Sequence, residues 1–92
     1  MTYNGNGNTS GIVPVDNNLY QNGENVTVLK NTGNLKKVNY AFIGWNTEVS
    51  GTGIQYDPDS TFIMGNQNIT LYAQWRFEQL IIWGRITTTI LT

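Results

Sequence analysis

Asn68-Ile69-Thr70-Leu71-Tyr72-Ala73-Gln74-Trp75 is the most regular stretch of this 92-residue chain. Ile69, Leu71, Ala73 and Trp75 alternate with Thr70, Tyr72 and Gln74, and a β-strand sends such an alternating set to one side because its side chains change face at every residue. The pattern predicts a strand with one face in the core and Tyr72 on the outward parity. Working back along the chain, Val38 to Trp45 reads as a second strand in which Val38, Tyr40 and Phe42 share a face. Trp45 has the opposite parity. A bulge or turn at Gly44 resolves the conflict, since one extra residue resets the alternation and brings Trp45 into the same core.

Turn chemistry separates the remaining elements. Asn4 to Gly11 is rich in Asn-Gly pairs, which accept positive φ at little cost, and it precedes the short apolar segment Ile12 to Val15. Asn22-Gly23 is a second turn and leads into Asn25-Val26-Thr27-Val28-Leu29, whose alternation puts Val26 and Val28 on one face. Asn31 to Lys37 reads as a loop, Gly51-Thr52-Gly53 as a hairpin-like turn and Ile54 to Tyr56 as a short strand. In Asp57-Pro58-Asp59-Ser60, Pro58 presets φ and the Asp57 carboxylate can accept from forward amides. Thr61 to Met64 suits either a strand or one helical turn. No segment sustains a helical period, so any helix is expected to be short.

Composition agrees. Val, Ile, Thr and the aromatics make 38 of 92 residues, whereas Ala, Glu and Lys number only two, three and three, which favours pleated structure over helix. The length allows a single domain with a net stability of about 5 to 14 kcal/mol. Five basic and six acidic residues give a net charge of −1. Nucleic acid and anionic membrane surfaces are therefore set aside as partners, because both demand clustered Lys and Arg. The absence of Cys and His removes disulfides, thiolate zinc sites, the Cys nucleophile and the commonest general base. No basic and apolar leader precedes Asn4, and no apolar run reaches the ~18 residues of a membrane-spanning helix. Any export signal or anchor is expected outside this chain, and the Asn- and Thr-rich, weakly charged composition points to an extracellular or cell-surface location.

Tyr40-Ala41-Phe42-Ile43-Gly44-Trp45-Asn46, then Gly51, Gly53, Tyr56 and Thr61-Phe62, and finally Ile69-Thr70-Leu71-Tyr72-Ala73-Gln74-Trp75 resemble, in order and spacing, the Listeria–Bacteroides repeat, the B-repeat type module of internalin B. Tyr3-Asn4-Gly5-Asn6-Gly7 resembles the end of that family's first strand and its turn, and Val26-Thr27-Val28 its second core strand; coverage runs from about Thr2 to Trp75. The resemblance implies a β-rich α+β fold, a small β-grasp, ubiquitin-like mixed sheet with little helix. It also implies a non-catalytic role in surface or secreted proteins of bacteria and some archaea. Its structural core motif would be Tyr40, Phe42, Gly44, Trp45, Leu71, Tyr72, Ala73 and Trp75. The family's first strand normally begins several residues before Tyr3, so this strand is expected to be truncated, as in an excised fragment. Residues 1–76 would form the module. Residues 77–92 have no counterpart in the repeat, and Leu80-Ile81-Ile82-Trp83 and Thr87 to Leu91 read as strand-forming, aggregation-prone pieces. They would be a linker, the start of a further module, an added strand or appended residues.

Few residues offer chemistry. Asp57, Asp59 and Glu48 carry oxygens for calcium, but without the ligand spacing and Gly of a calcium loop, and two aspartates around a proline ordinarily make a turn. No metal and no cofactor is expected. No nucleophile or pocket signature accompanies these carboxylates, so no catalytic residue is assigned and the chain is read as a non-enzyme. The Asn-x-Ser/Thr triplets at Asn8, Asn25 and Asn68 follow from composition. Lys30, Lys36 and Lys37 read as a solvated loop. Tyr40, Phe42, Trp45, Phe62 and Trp75 read as core, because a domain with six Leu needs large side chains to exclude water.

The leading functional reading is a spacer or protein-interaction (adhesion) module. Its partners would be neighbouring repeats or domains of the same protein, or a host or envelope protein. Its sheet edges would be the natural contacts, and a weak homodimer would form through an edge or the tail. The alternative is a carbohydrate-binding module that stacks exposed aromatics on sugar rings. Solvent exposure of the tryptophans separates the two.

Overall fold

The alternation around Leu71 and Ala73 opens the longest strand of the molecule. The computed structural model describes residues 1–83 and 86–91, and among them lie seven strands: β1 (Thr2–Asn4), β2 (Asn25–Thr27), β3 (Tyr40–Asn46), β4 (Gln55–Tyr56), β5 (Thr61–Ile63), β6 (Thr70–Trp83) and β7 (Ile86–Leu91). The main sheet has the order β1-β6-β3-β4, with β7 pairing β6, and a separate two-stranded sheet joins β2 to β5. β1 runs parallel to β6, with Tyr3 opposite Leu71, whereas β3 runs antiparallel to it. The sheet is therefore mixed. The α component of an α+β class is absent among the described residues. The long irregular stretch between β1 and β2 carries Gly11, Pro14, Asn17, Asn18 and Gly23, which supply turn and helix-breaking chemistry.

β3 carries the anticipated irregularity. Phe42 faces Trp75 and Gly44 faces Gln74, so the register shifts between them and Ile43 is left without a counterpart. Gly44 adopts φ 125°, a backbone region that favours glycine. One residue further, Trp45 faces Ala73, and its ring lies 5.1 Å from that of Phe42. The extra residue has put both aromatics on the core face.

A second layer closes that face. Val26 pairs with Phe62, and the ribbon extends through bonds from the Val28 N–H to the Ser60 carbonyl and from the Asp59 N–H to the Val28 carbonyl, each 2.8 Å. Val26 and Val28 are both fully buried, and Val28 joins Tyr3, Leu35, Trp45, Leu71 and Ala73 in one cluster. Each large aliphatic side chain buried there contributes about 1.5 to 3 kcal/mol. Phe42, Tyr56, Phe62, Ile69 and Trp75 pack around it, partly buried.

Of the two readings open for Thr61 to Met64, the structure has the strand, because pairing with β2 satisfies its backbone. One expectation is revised. Val38 lies outside β3 and is 66% exposed, so it does not share the core face with Phe42. The strand beginning at Thr70 continues past Trp75, with the Glu78 N–H donating to the Asn39 carbonyl at 2.7 Å. From Glu78↔Leu91 to Trp83↔Ile86 it pairs antiparallel with β7. β7 thus adds a strand beside β6, and Arg76 lies within β6; residues 84, 85 and 92 of the segment 77–92 lie outside the described residues.

Candidate functional site

The eight motif residues fall into three environments. Trp45, Leu71 and Ala73 are fully buried, and Phe42 and Trp75 pack against them with ring centroids 5.8 Å apart, edge to face. Gly44 is the bulge that aligns this group. Tyr40 departs from the expected core position: it is 38% exposed, its ring meets Phe77 edge-on at 5.4 Å, and Lys37 Nζ lies 4.3 Å above it. It occupies the end of β3, outside the central cluster. Tyr72 is half-buried, opposite Asn46 on one side and Asn4 on the other.

The polar ends of the buried aromatics are spent on the backbone. Trp45 Nε1 donates to the Leu29 carbonyl at 3.0 Å, and the Leu29 N–H donates to the Tyr3 hydroxyl at 2.9 Å. Leu29, which follows the second core strand, is thereby held from both sides of its residue by side chains of β3 and β1. Trp75 Nε1 donates to the Gly5 carbonyl at 3.0 Å and closes the turn after β1. Tyr3 and Trp45 touch edge to face at 4.7 Å. Burial pushes the Tyr3 hydroxyl pKa above its ordinary value, against the lowering effect of the Leu29 hydrogen bond.

Two asparagines do what strand pairing does elsewhere. Asn46 is buried, with Oδ1 accepting from the Glu48 and Gly53 N–H groups at 2.9 and 3.0 Å and Nδ2 donating to the Gly51 carbonyl and Gln55 Oε1. It shapes the β3–β4 connection. Asn6, at φ 51°, sends its amide to the carbonyls of Ala73 and Val49 at 2.8 and 3.1 Å. Where β1 has ended, a side chain continues the bonding along β6.

Tyr3, Leu35, Asn6 and the role of Asn46 escape a reading by periodicity. Tyr3 lies in a three-residue strand too short to display alternation, and Leu35 belongs to a loop. Leu35 is buried because segments 9–12 and 33–36 are tied together, with the Lys36 N–H donating to the Ser10 carbonyl at 3.0 Å. Its own N–H and C=O bond the Asn31 side chain. A lone leucine among Asn, Gly and Lys was the available signal.

The candidate ligands are not brought together. Asp59 pairs with Lys30 at 3.3 Å on the surface, and the 57–60 turn closes through the Asp57 carbonyl, which accepts from the Ser60 N–H, with its carboxylate taking no part. Among the described residues no three His, Cys, Asp or Glu side chains converge as a metal site would require. Asp16 is a separate case: burial pushes its carboxyl pKa up, but hydrogen bonds from Tyr20 and Asn18 outweigh it and hold the carboxyl below the usual range. Of the lysines, Lys30 pairs with Asp59, whereas Lys37 lies over the Tyr40 ring. Among the described residues no helix is long and apolar enough to cross a membrane.

A family model for the Listeria-Bacteroides repeat domain matches residues 1–74. Two proteins of Evansella cellulosilytica, named as a membrane protein and as a Gly-rich membrane protein, are 41% identical over 73 residues and 43% identical over 83 residues. These alignments cover 79% and 86% of this chain, which spans only 11% and 9% of the length of those relatives. No solved structure matches it.

Proposed function

The chain belongs to the Listeria-Bacteroides repeat domain family, and from that premise we propose that it is a non-catalytic repeat module of a bacterial cell-surface or secreted protein, serving as spacer or protein-interaction domain. The observation that carries this reading is the use of the aromatic groups. Tyr3, Trp45 and Trp75 spend their hydrogen-bonding ends on the module's own backbone, and Trp45 is fully buried. A sugar-binding platform needs coplanar aromatics open to solvent, whereas the Tyr40 and Phe77 rings meet edge-on. The relatives named as membrane proteins support an envelope location.

The parallel β1–β6 pair flanked by antiparallel β3 supports a β-grasp arrangement, with residues 1–76 as the folding unit and 77–92 as an extension. Partner proteins, or neighbouring modules, would add to the outer sides of β1 and β4, which end the order of the main sheet. The test uses cells that express the full-length protein. An antibody against the module should label intact cells, and brief protease treatment of those cells should remove the signal. Labelling only after permeabilisation overturns the surface reading; retention of a labelled glycan on an array would return the sugar-binding alternative.

A further inference from the structure

The chain contains three Asn-Gly pairs, at Asn4, Asn6 and Asn22. In such a pair the glycine amide nitrogen can attack the asparagine side-chain Cγ, expelling ammonia and closing a succinimide. Water then opens the ring to aspartate or isoaspartate. Glycine favours the attack because no side chain hinders its nitrogen and its backbone turns freely. The fold treats these pairs differently. Asn6 reaches across to the Ala73 and Val49 carbonyls through both amide protons, so its Cγ cannot fold back onto the Gly7 nitrogen without breaking two hydrogen bonds. Asn22 is exposed and its side chain holds no hydrogen bond to the described residues, although the Gly23 N–H donates to the Met64 carbonyl at 2.8 Å. Asn4 sits in β1.

We propose that Asn6 is a fold-gated deamidation site, closed while its amide is held by the Ala73 and Val49 carbonyls and open once the turn after β1 lets go. The change has one direction. Aspartate in its place presents carboxylate oxygens to two carbonyl oxygens, so both donors become repelling acceptors and the turn cannot re-anchor. Each excursion to the open state therefore risks a permanent record in the chain; at Asn22 the fold holds the glycine amide instead, through the Met64 carbonyl.

The experiment incubates the full chain at mildly alkaline pH, folded and in strong denaturant, and follows the one-dalton gain at each pair by peptide mass spectrometry. In denaturant Asn6 and Asn22 should convert at similar rates. In the folded chain conversion at Asn6 should slow by about tenfold or more, set by how rarely the turn opens. Equal Asn6 rates in folded and denatured protein would overturn the gate. Asn6→Asp tests the consequence: a lowered denaturation midpoint, or failure to fold beside a folded Asn22→Asp, supports it. An Asn6→Asp chain as stable as the parent would overturn the one-way loss.

Discussion

Trp45 concentrates much of the core's architecture in one side chain. It is fully buried, it touches Tyr3 and Phe42 edge to face, and its Nε1 holds the Leu29 carbonyl. Trp45→Ala should cost about 3 to 5 kcal/mol, much of the margin of a chain this size, so the domain should unfold or melt far below the parent in calorimetry. An unchanged midpoint would make this tryptophan a surface group. Tyr3 offers a subtler measurement. Tyr3→Phe keeps the ring but leaves the half-buried Leu29 N–H without this partner, at a cost of about 1 kcal/mol in urea unfolding. The same hydroxyl sets a pH dependence. Its pKa is raised above the ordinary 10.0 in the folded state, so its contribution is complete below that value and is lost as pH rises through the folded one. Tyr20, raised by its hydrogen bond to Asp16, acts in the same direction. Alkaline unfolding followed by near-ultraviolet circular dichroism should begin above pH 10, and the Tyr3→Phe chain should lose part of that slope.

Among the strands, β3 shows how one backbone irregularity decides which residues meet. The parity of Val38 to Trp45 places Phe42 and Trp45 on opposite faces, and the extra residue at Ile43 reverses this. Gly44→Ala should be destabilising by about 1 to 3 kcal/mol, chiefly because φ 125° is hostile to any Cβ. The new Cβ would also lie 2.5 Å from Gln55 Nε2, disturbing its 3.3 Å bond to the Ile43 carbonyl, but that side-chain end can move. Guanidinium titration monitored by Trp fluorescence reads the loss. A midpoint equal to the parent would mean that β3 tolerates the bulge without glycine. This element was legible in sequence because an aromatic of the wrong parity stood next to a glycine within an otherwise alternating run. β5 was not, since four residues, Thr61 to Met64, carry no period; pairing with β2 settled it.

For the whole molecule, the extension of β6 into the β6–β7 pair raises the question of how much it contributes to the folded unit. The contacts that bury Trp45, Leu71 and Ala73 come from residues before Arg76, so a chain ending at Arg76 should keep its cooperative melt within a few degrees of the full chain, roughly the effect of 1 kcal/mol or less. A pair of strands without a third is marginal by itself and an open edge invites another copy. Size-exclusion with light scattering across a tenfold concentration range should therefore show weak self-association of the full chain and none for the shorter one. A full chain that stays monomeric throughout would remove the proposed homodimer. Calcium and then excess chelator, at matched ionic strength, should leave the melting temperature of the full chain unchanged; a shift of several degrees would make the 57–60 turn a cation site.

Local chemistry was enough to establish the β-rich class, the turns at Asn22-Gly23 and 57–60, the bulge in β3, the shared face of Val26 and Val28 and the burial of Trp45, Leu71 and Ala73. Each depends on side-chain period or on the backbone preference of one residue, and both are properties of neighbours along the chain. The parallel pairing of β1 with β6 depends on residues almost seventy positions apart, as do the bonds from Asn6 to Ala73 and from Trp75 to Gly5. Tyr40 was misplaced for the same reason: its parity is right for the core face, but the layer built from Val28 and Leu35 covers the cluster at Trp45 and leaves Tyr40 outside it. Parity states which way a side chain points from its strand, and only the packing of distant segments states whether anything lies there to cover it.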